Sequence, residues 1–314
     1  MCVEYPIQMP TKIISISDHT RGDYEYDYVQ LNRLSEDVIA RYASSLIQRF
    51  KVRGETPEEC EEWIVRTYVA LKYLLGASVL LSSAQFAIRT NLRIVQPYLL
   101  YYALFNSSRA LMLLTPEHLW NDGKILDETT HAKTQAVTHD TLRYLSREMA
   151  ERYLEINRRV MAGRELLSYK FPAEGMNGAL ASIVSDISDV VDTCQFIAEV
   201  AELHSECLQT SFRKSLVKAS GNRDAILSRA YLYEHKSLDN KIKDADDSAR
   251  FLQYLRATDR PLSLHLTAHP GLVEDFFGQW CPKDDPESPD QETSDKVLQY
   301  DPDAHDWRII YDFP

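Results

Sequence analysis

From Leu31 onward the apolar positions recur three and four residues apart. Leu34, Val38, Ile39, Tyr42, Leu46 and Phe50 form one stripe, and Gly54 ends it, which predicts an amphipathic helix. The "TPEE" at 56–59 predicts a second helix start: Thr56 as cap, Pro57 in the first turn and Glu59 reaching back to complete a capping box. Beyond it, Trp63, Tyr68, Leu71, Leu75 and Val79 leave apolar residues on more than one side, as in a helix near a bundle centre. Pro97 opens a third helix containing "YLLYYALFNSSRALMLL", closed by "TPEH" at 115–118 and followed by an "NDG" turn at 121–123. Ahead of all this, residues 1–30 are mixed: "TKIISIS" reads as a short strand and "DYEYDYVQ" as an exposed edge or loop.

Residues 138–168 interleave six arginines with four glutamates, the pattern of a solvated helix face laced with ion pairs. The clearest helix follows the loop "YKFPAEG". Leu180, Ile183, Val184, Ile187, Val190, Val191, Cys194, Ile197, Ala198, Ala201 and Leu208 keep one stripe for about eight turns, and a rod of that length needs partners along its extent. Gly221 punctuates its end. Residues 222–256 predict one or two more helices, while "RPLSLHLTAH" and the terminal "WRIIYDF" alternate like short strands. Residues 282–306 hold nine acids, two lysines and four prolines and read as a linker or loop. The pattern as a whole predicts a mainly α protein: a bundle over 56–215, an N-terminal segment of strand plus helix over 1–55, a mixed helical extension over 216–314, and minor β elements near the termini.

Composition narrows the chemistry. With 10 Gly in 314 residues a turn-rich β architecture is disfavoured, and a net charge of −12 argues against binding a polyanion over the whole surface. Five widely spaced cysteines without C-x-x-C spacing suit a reducing compartment. The N-terminus lacks the basic and apolar runs of a signal peptide, and the apolar stretches carry Arg66, Lys72 and Arg109, so the expectation is a soluble, cytoplasmic protein with no membrane span and no membrane partner. No glycine-rich phosphate loop, metal-spaced His/Cys set or nucleophile elbow occurs, so neither metal nor cofactor is expected.

Three segments in fixed order, "YYALFNSSRALMLL", "TTHAKTQ" and "GRELLSYKFPAEG" ahead of a long helix, resemble the HEPN superfamily of prokaryotic helical domains, over roughly residues 60–212. The resemblance implies a bundle of four to five helices and an RNA-directed effector of the defence or toxin–antitoxin kind, acting as a homodimer. Catalytic members are metal-independent endoribonucleases that use an R-x4–6-H pair. Arginine forks the phosphate there, and histidine exchanges protons near neutral pH. Two matches exist, Arg229 with His235 and Arg260 with His265, the first in a probable helix after a basic run; both lie beyond the segment that carries the resemblance.

Arg109 stands apart because it interrupts the greasiest segment of the chain. Tyr98, Tyr102, Phe105 and Arg109 fall three or four apart and share a face. Ser107 and Ser108 permit close approach of another helix, and a carboxylate of the long helix, Asp186 or Asp189, is the expected partner, since an unpaired buried charge is expensive. The resemblance makes Arg109, His131, Arg164 and Tyr169 candidate ligand contacts as well as candidate structural pairs. Two functions stay open: an RNA-cleaving or RNA-binding effector, and a non-enzymatic module that binds a partner protein or a nucleotide.

Overall fold

The structure is a computed structural model that describes residues 14–15, 25–26, 28–53, 56–121, 123–170, 187–231, 245–258, 260–264 and 276. It is mainly helical, as the periodicity predicts. The principal elements are α1 (Glu36–Val52), α2 (Pro57–Arg89), α3 (Gln96–Leu113), the short α4 (Lys124–Glu128), α5 (His131–Leu145) and α6 (Arg147–Glu165). A π turn at Leu166–Lys170 follows, then α7 (Ile187–Ser211), α8 (Arg213–Ser220), α9 (Arg223–Tyr231) and α10 (Ala245–Ala257). Extended pairing among the described residues is confined to Ile14–Ser15 against Glu25–Tyr26, antiparallel.

The second helix begins as its sequence dictates. The Thr56 side chain accepts from the Glu59 amide, and the Glu59 carboxylate accepts from the Thr56 amide at 3.2 Å, with Pro57 in the first turn. The result is a helix of 33 residues, about 50 Å long at 1.5 Å per residue. It is long and apolar enough to cross a membrane, and most of that apolar surface is buried inside the bundle. Antiparallel to it lies α3: Arg66 meets Leu113, Tyr73 meets Arg109, and Gly76 sits against Asn106, where an added Cβ would stand 3.4 Å from the Asn106 amide nitrogen.

The third helix is the hub. Ser107, Ser108 and Arg109 follow one another about 100° apart around its axis, and each faces a different neighbour. Ser107 faces Cys194 of α7, Ser108 lies 3.1 Å from the Tyr153 hydroxyl of α6, and Arg109 reaches Tyr73 of α2. Its C-terminal carbonyls, which no helical amide can satisfy, are taken by buried side chains. The Arg66 Nε donates to Leu113 O at 2.7 Å, and His204 Nδ1 donates to Leu114 O at 3.0 Å. That leaves His204 Nε2 to accept from the Tyr42 hydroxyl at 2.6 Å, which ties α1 to α7 through a neutral imidazole; burial holds the His204 pKa down at about 4.

One hydrophobic cluster runs from Tyr28 through the bundle to Phe276, so the core is continuous across residues 55/56 and 215/216. The N-terminal segment is pinned by Glu199 of α7, whose buried carboxylate accepts from the amides of Val29, Gln30 and Leu31 at 2.7–3.0 Å. Residues 260–264 differ from the expected strand. Leu262 and Leu264 do alternate inward, but Ser263 is buried as well, and the segment is a strap held by side chains of α7. The amides of Leu262 and Leu264 donate to Gln209 Oε1 and Ser205 Oγ, and Ser263 donates to Glu206. Residues 180–186 of the expected long helix, the acidic 282–306 stretch and "WRIIYDF" lie outside the described residues.

Candidate functional site

The exposed strip of α3 is the one its periodicity marks: Tyr98, Tyr102, Phe105 and Arg109 are partly or wholly accessible, while Tyr101 on the adjoining side is buried. Thr130 caps α5 by accepting from the Lys133 amide and so sets His131 at the first turn of that helix. The His131 ring lies flat on Phe105, with centroids 4.0 Å apart and planes 11° apart, and its Nδ1 is 2.5 Å from the Tyr101 hydroxyl. From the end of α6, Arg164 lays its guanidinium 4.9 Å from the centre of the Tyr101 ring and 5.8 Å from that of Tyr102. Arg109 lies 5.2 Å from the centre of the Phe105 ring and 5.3 Å from that of Tyr73. Two arginines thus bracket the Tyr101–Phe105 pair, with the imidazole between them. Each of the three sequence segments that carry the HEPN resemblance supplies one of these groups.

The expected partner of Arg109 is a correction. Asp189 is engaged by Arg152 of α6 at 2.9 Å, and Asp186 lies outside the described residues. Arg109 instead donates to the Tyr73 hydroxyl at 2.8 Å and to the Leu126 carbonyl. The reason is rotational: the α7-facing side of α3 is occupied by Ser107, and a residue two positions on points elsewhere. Arg109 is half-buried, and no carboxylate pairs with it among the described residues. Its Nε, like that of Arg164, is shielded from water and has no hydrogen-bond partner among the described residues. Among the described residues Arg164 makes no hydrogen bond or ion pair, only its two ring contacts.

This concentration of cations shapes the histidine. Partial burial and the positive charges of Arg164 and Arg109 lower the His131 pKa, so the ring is neutral at pH 7. Burial, outweighing Arg164, raises that of Tyr101, which keeps its proton. The phenol makes its sole hydrogen bond among the described residues to His131, donating to Nδ1, and the imidazole proton then sits on Nε2. His131 is exposed and therefore presents a donor to whatever approaches. Glu165, next to Arg164, contributes a weak opposing charge at Tyr101. Cation, donor and ring face together suit an anion carrying a planar group, such as a nucleotide phosphate with its base.

The remaining candidates are placed elsewhere. Tyr169, in the π turn, is 76% exposed and does not join the cluster, although its neighbour Ser168 bonds Tyr98 at 3.2 Å. Arg229 is not turned toward a basic cleft: its Nε donates to the buried Glu61 carboxylate at 3.1 Å and docks α9 on α2. Arg260 is paired with the buried Glu206 of α7 and anchors the C-terminal strap. Both arginines are spent on carboxylates inside the fold; His235 and His265 lie outside the described residues. Among the described residues no group of three or more His, Cys, Asp or Glu is arranged to hold a metal, and Cys60, Cys194 and Cys207 are buried free thiols with pKa values raised by burial. Sequence reasoning missed Tyr73 because α2 is apolar on every side and offers no face to single out.

No family model matches this chain, and no curated protein and no solved structure matches it.

Proposed function

We propose that this chain is an RNA-directed, HEPN-like effector of the prokaryotic defence or toxin–antitoxin type, and that it grips RNA at Arg109, His131 and Arg164. The observation that carries this reading is the convergence of three cationic or donor groups, from α3, α5 and α6, on one exposed aromatic strip without a carboxylate pairing either arginine among the described residues. A phosphate approaching the strip meets the guanidinium charges and the His131 Nε2–H, while a base stacks on the accessible Tyr102.

The reading favours binding over cleavage. An imidazole whose Nδ1 accepts from Tyr101 offers Nε2–H, a donor to a phosphate oxygen, and not the lone pair needed to deprotonate a ribose 2′-hydroxyl. The test is fluorescence anisotropy with a labelled single-stranded oligoribonucleotide, with Arg164→Gln and His131→Ala alongside the unmodified chain. Binding that weakens in both variants supports the proposal; equal affinity in all three removes it. The same mixtures resolved on a gel in EDTA decide between binding and cleavage, and cleavage lost with His131 would assign the ring a basic role.

A further inference from the structure

Between Glu62 and Glu117 the sequence contains no acidic residue, although the chain carries 47 of them. That acid-free span is the α2–α3 hairpin, and its connector is unusual in a second way. Ile88, Leu92, Ile94 and Val95 are 39%, 52%, 41% and 39% exposed, gathered within eight residues, and Arg89 and Arg93 lie exposed among them. The apolar side chains are not what orders the turn. Leu92 N donates to Ala87 O at 2.7 Å, Val95 N donates to Leu92 O at 3.3 Å, and Thr90 Oγ1 donates to Phe86 O at 2.9 Å, with Asn91 in the left-handed region at φ 59°. The connector is closed by its own backbone, and among the described residues none of the four aliphatic chains belongs to the core cluster.

We propose that this hairpin tip is a docking surface for an anionic lipid bilayer, with Leu92, Ile94 and Val95 entering the interface and Arg89 and Arg93 meeting lipid phosphates. The charge pattern selects that occupant. A two-fold contact between copies would set Arg93 against its own counterpart with no acid in the tip to offset it. RNA gains from arginine and from aromatic faces but nothing from exposed isoleucine and leucine. Aliphatic side chains flanked by cations match an acyl boundary beneath an anionic headgroup layer. A spanning helix is not required, and the apolar length of α2 stays in the core.

The test is co-sedimentation of the full chain with phosphatidylcholine vesicles and with vesicles containing about one-third phosphatidylglycerol, at low and high salt. The expected result is partition to the anionic vesicles only, weakened by salt. Each of Arg89→Gln and Arg93→Gln should lower it about five-fold, and Ile94→Asp should abolish it, while helicity by circular dichroism and RNA affinity stay unchanged. Binding to neither vesicle, or binding indifferent to these substitutions, overturns the proposal. So does a tip-dependent change in mass by light scattering, which would make the surface a contact between copies, or displacement of the chain from vesicles by oligoribonucleotide.

Discussion

Replacing Arg164 and Arg109 one at a time separates recognition from folding, because the two guanidiniums are held so differently. Arg164 is half-buried like Arg109, but it makes no hydrogen bond among the described residues and touches only two tyrosine rings, at 4.9 and 5.8 Å. Such contacts contribute about 0.5–1 kcal/mol, so Arg164→Gln should lower stability by no more than that. Arg109 donates to Tyr73 and to the Leu126 carbonyl and lies near two rings; charge-assisted bonds in a half-buried setting make Arg109→Gln costlier, about 2–4 kcal/mol. Toward RNA the order levels out. Either substitution removes one arginine–phosphate contact, about 1.5–3 kcal/mol or roughly 10- to 150-fold in Kd. Urea unfolding followed at 222 nm gives the first quantity and anisotropy titration the second. The reasoning fails if Arg164→Gln unfolds as readily as Arg109→Gln, or if it binds RNA as tightly as the unmodified chain.

Three further outcomes follow from the same geometry. An anion held by the two arginines relieves the field that depresses the His131 pKa, so binding takes up a proton and affinity should strengthen as pH falls below about 6.5; a pH series of titrations checks it, and in His131→Asn that strengthening should be lost. Arg66→Met should destabilise by about 2–5 kcal/mol in urea: two good carbonyl bonds and a Trp63 contact at 3.8 Å are lost, while relief of the burial that lowers the Arg66 pKa to about 10 returns about 3 kcal/mol. A Met variant as stable as the parent would show that the capping role is worth no more than its desolvation. The His204 pKa is depressed from 6.5 to about 4, so its contribution is present above pH 6.5 and lost as pH falls through 4. Against His204→Asn, which cancels the opposite trend from Glu199, the unmodified chain should lose about 3 kcal/mol across that window.

Sequence alone reaches the elements and stops at their rotations. The capping box at Thr56, the helix opened near Pro97, the break after Leu113 and the charged face of α6 are local signals, and each lies where its residues put it, whereas the long helix expected to end at Gly221 stops at Ser211 and Gly221 closes the short α8 instead. Tertiary partners are a different matter. Whether Arg109 faces α2 or α7 depends on the angular position of α3, and Ser107, two residues earlier, already holds the α7 side. Arg66 was legible only as a charge that spoils a membrane span; its burial beneath the end of α3 belongs to the packing of a helix that is apolar all round, whose sequence has no preferred face. The alternation at 260–264 is real and still misleads, since a strap bonded to the side chains of a helix shows the same period of two as a strand bonded to another strand.

The position of the site follows from the same packing. The third helix is covered by α2, α6 and α7 on three sides, and His204 and Arg66 close its C-terminal end, which leaves one strip of it at the surface. A residue on that strip is backed by a helix packed on three sides. Arg109 and Phe105 are therefore fixed before any ligand arrives, and His131 is fixed by stacking on Phe105 and by its bond to Tyr101. Arg164 differs, since it lies near the end of α6 just ahead of the π turn and, among the described residues, has only ring faces to hold it. Ligand capture should then order Arg164 while leaving the other groups where they stand. Preorganisation of that kind reduces the entropy lost on binding, and it accounts for why a cation was placed in the greasiest helix: the surrounding core holds it still.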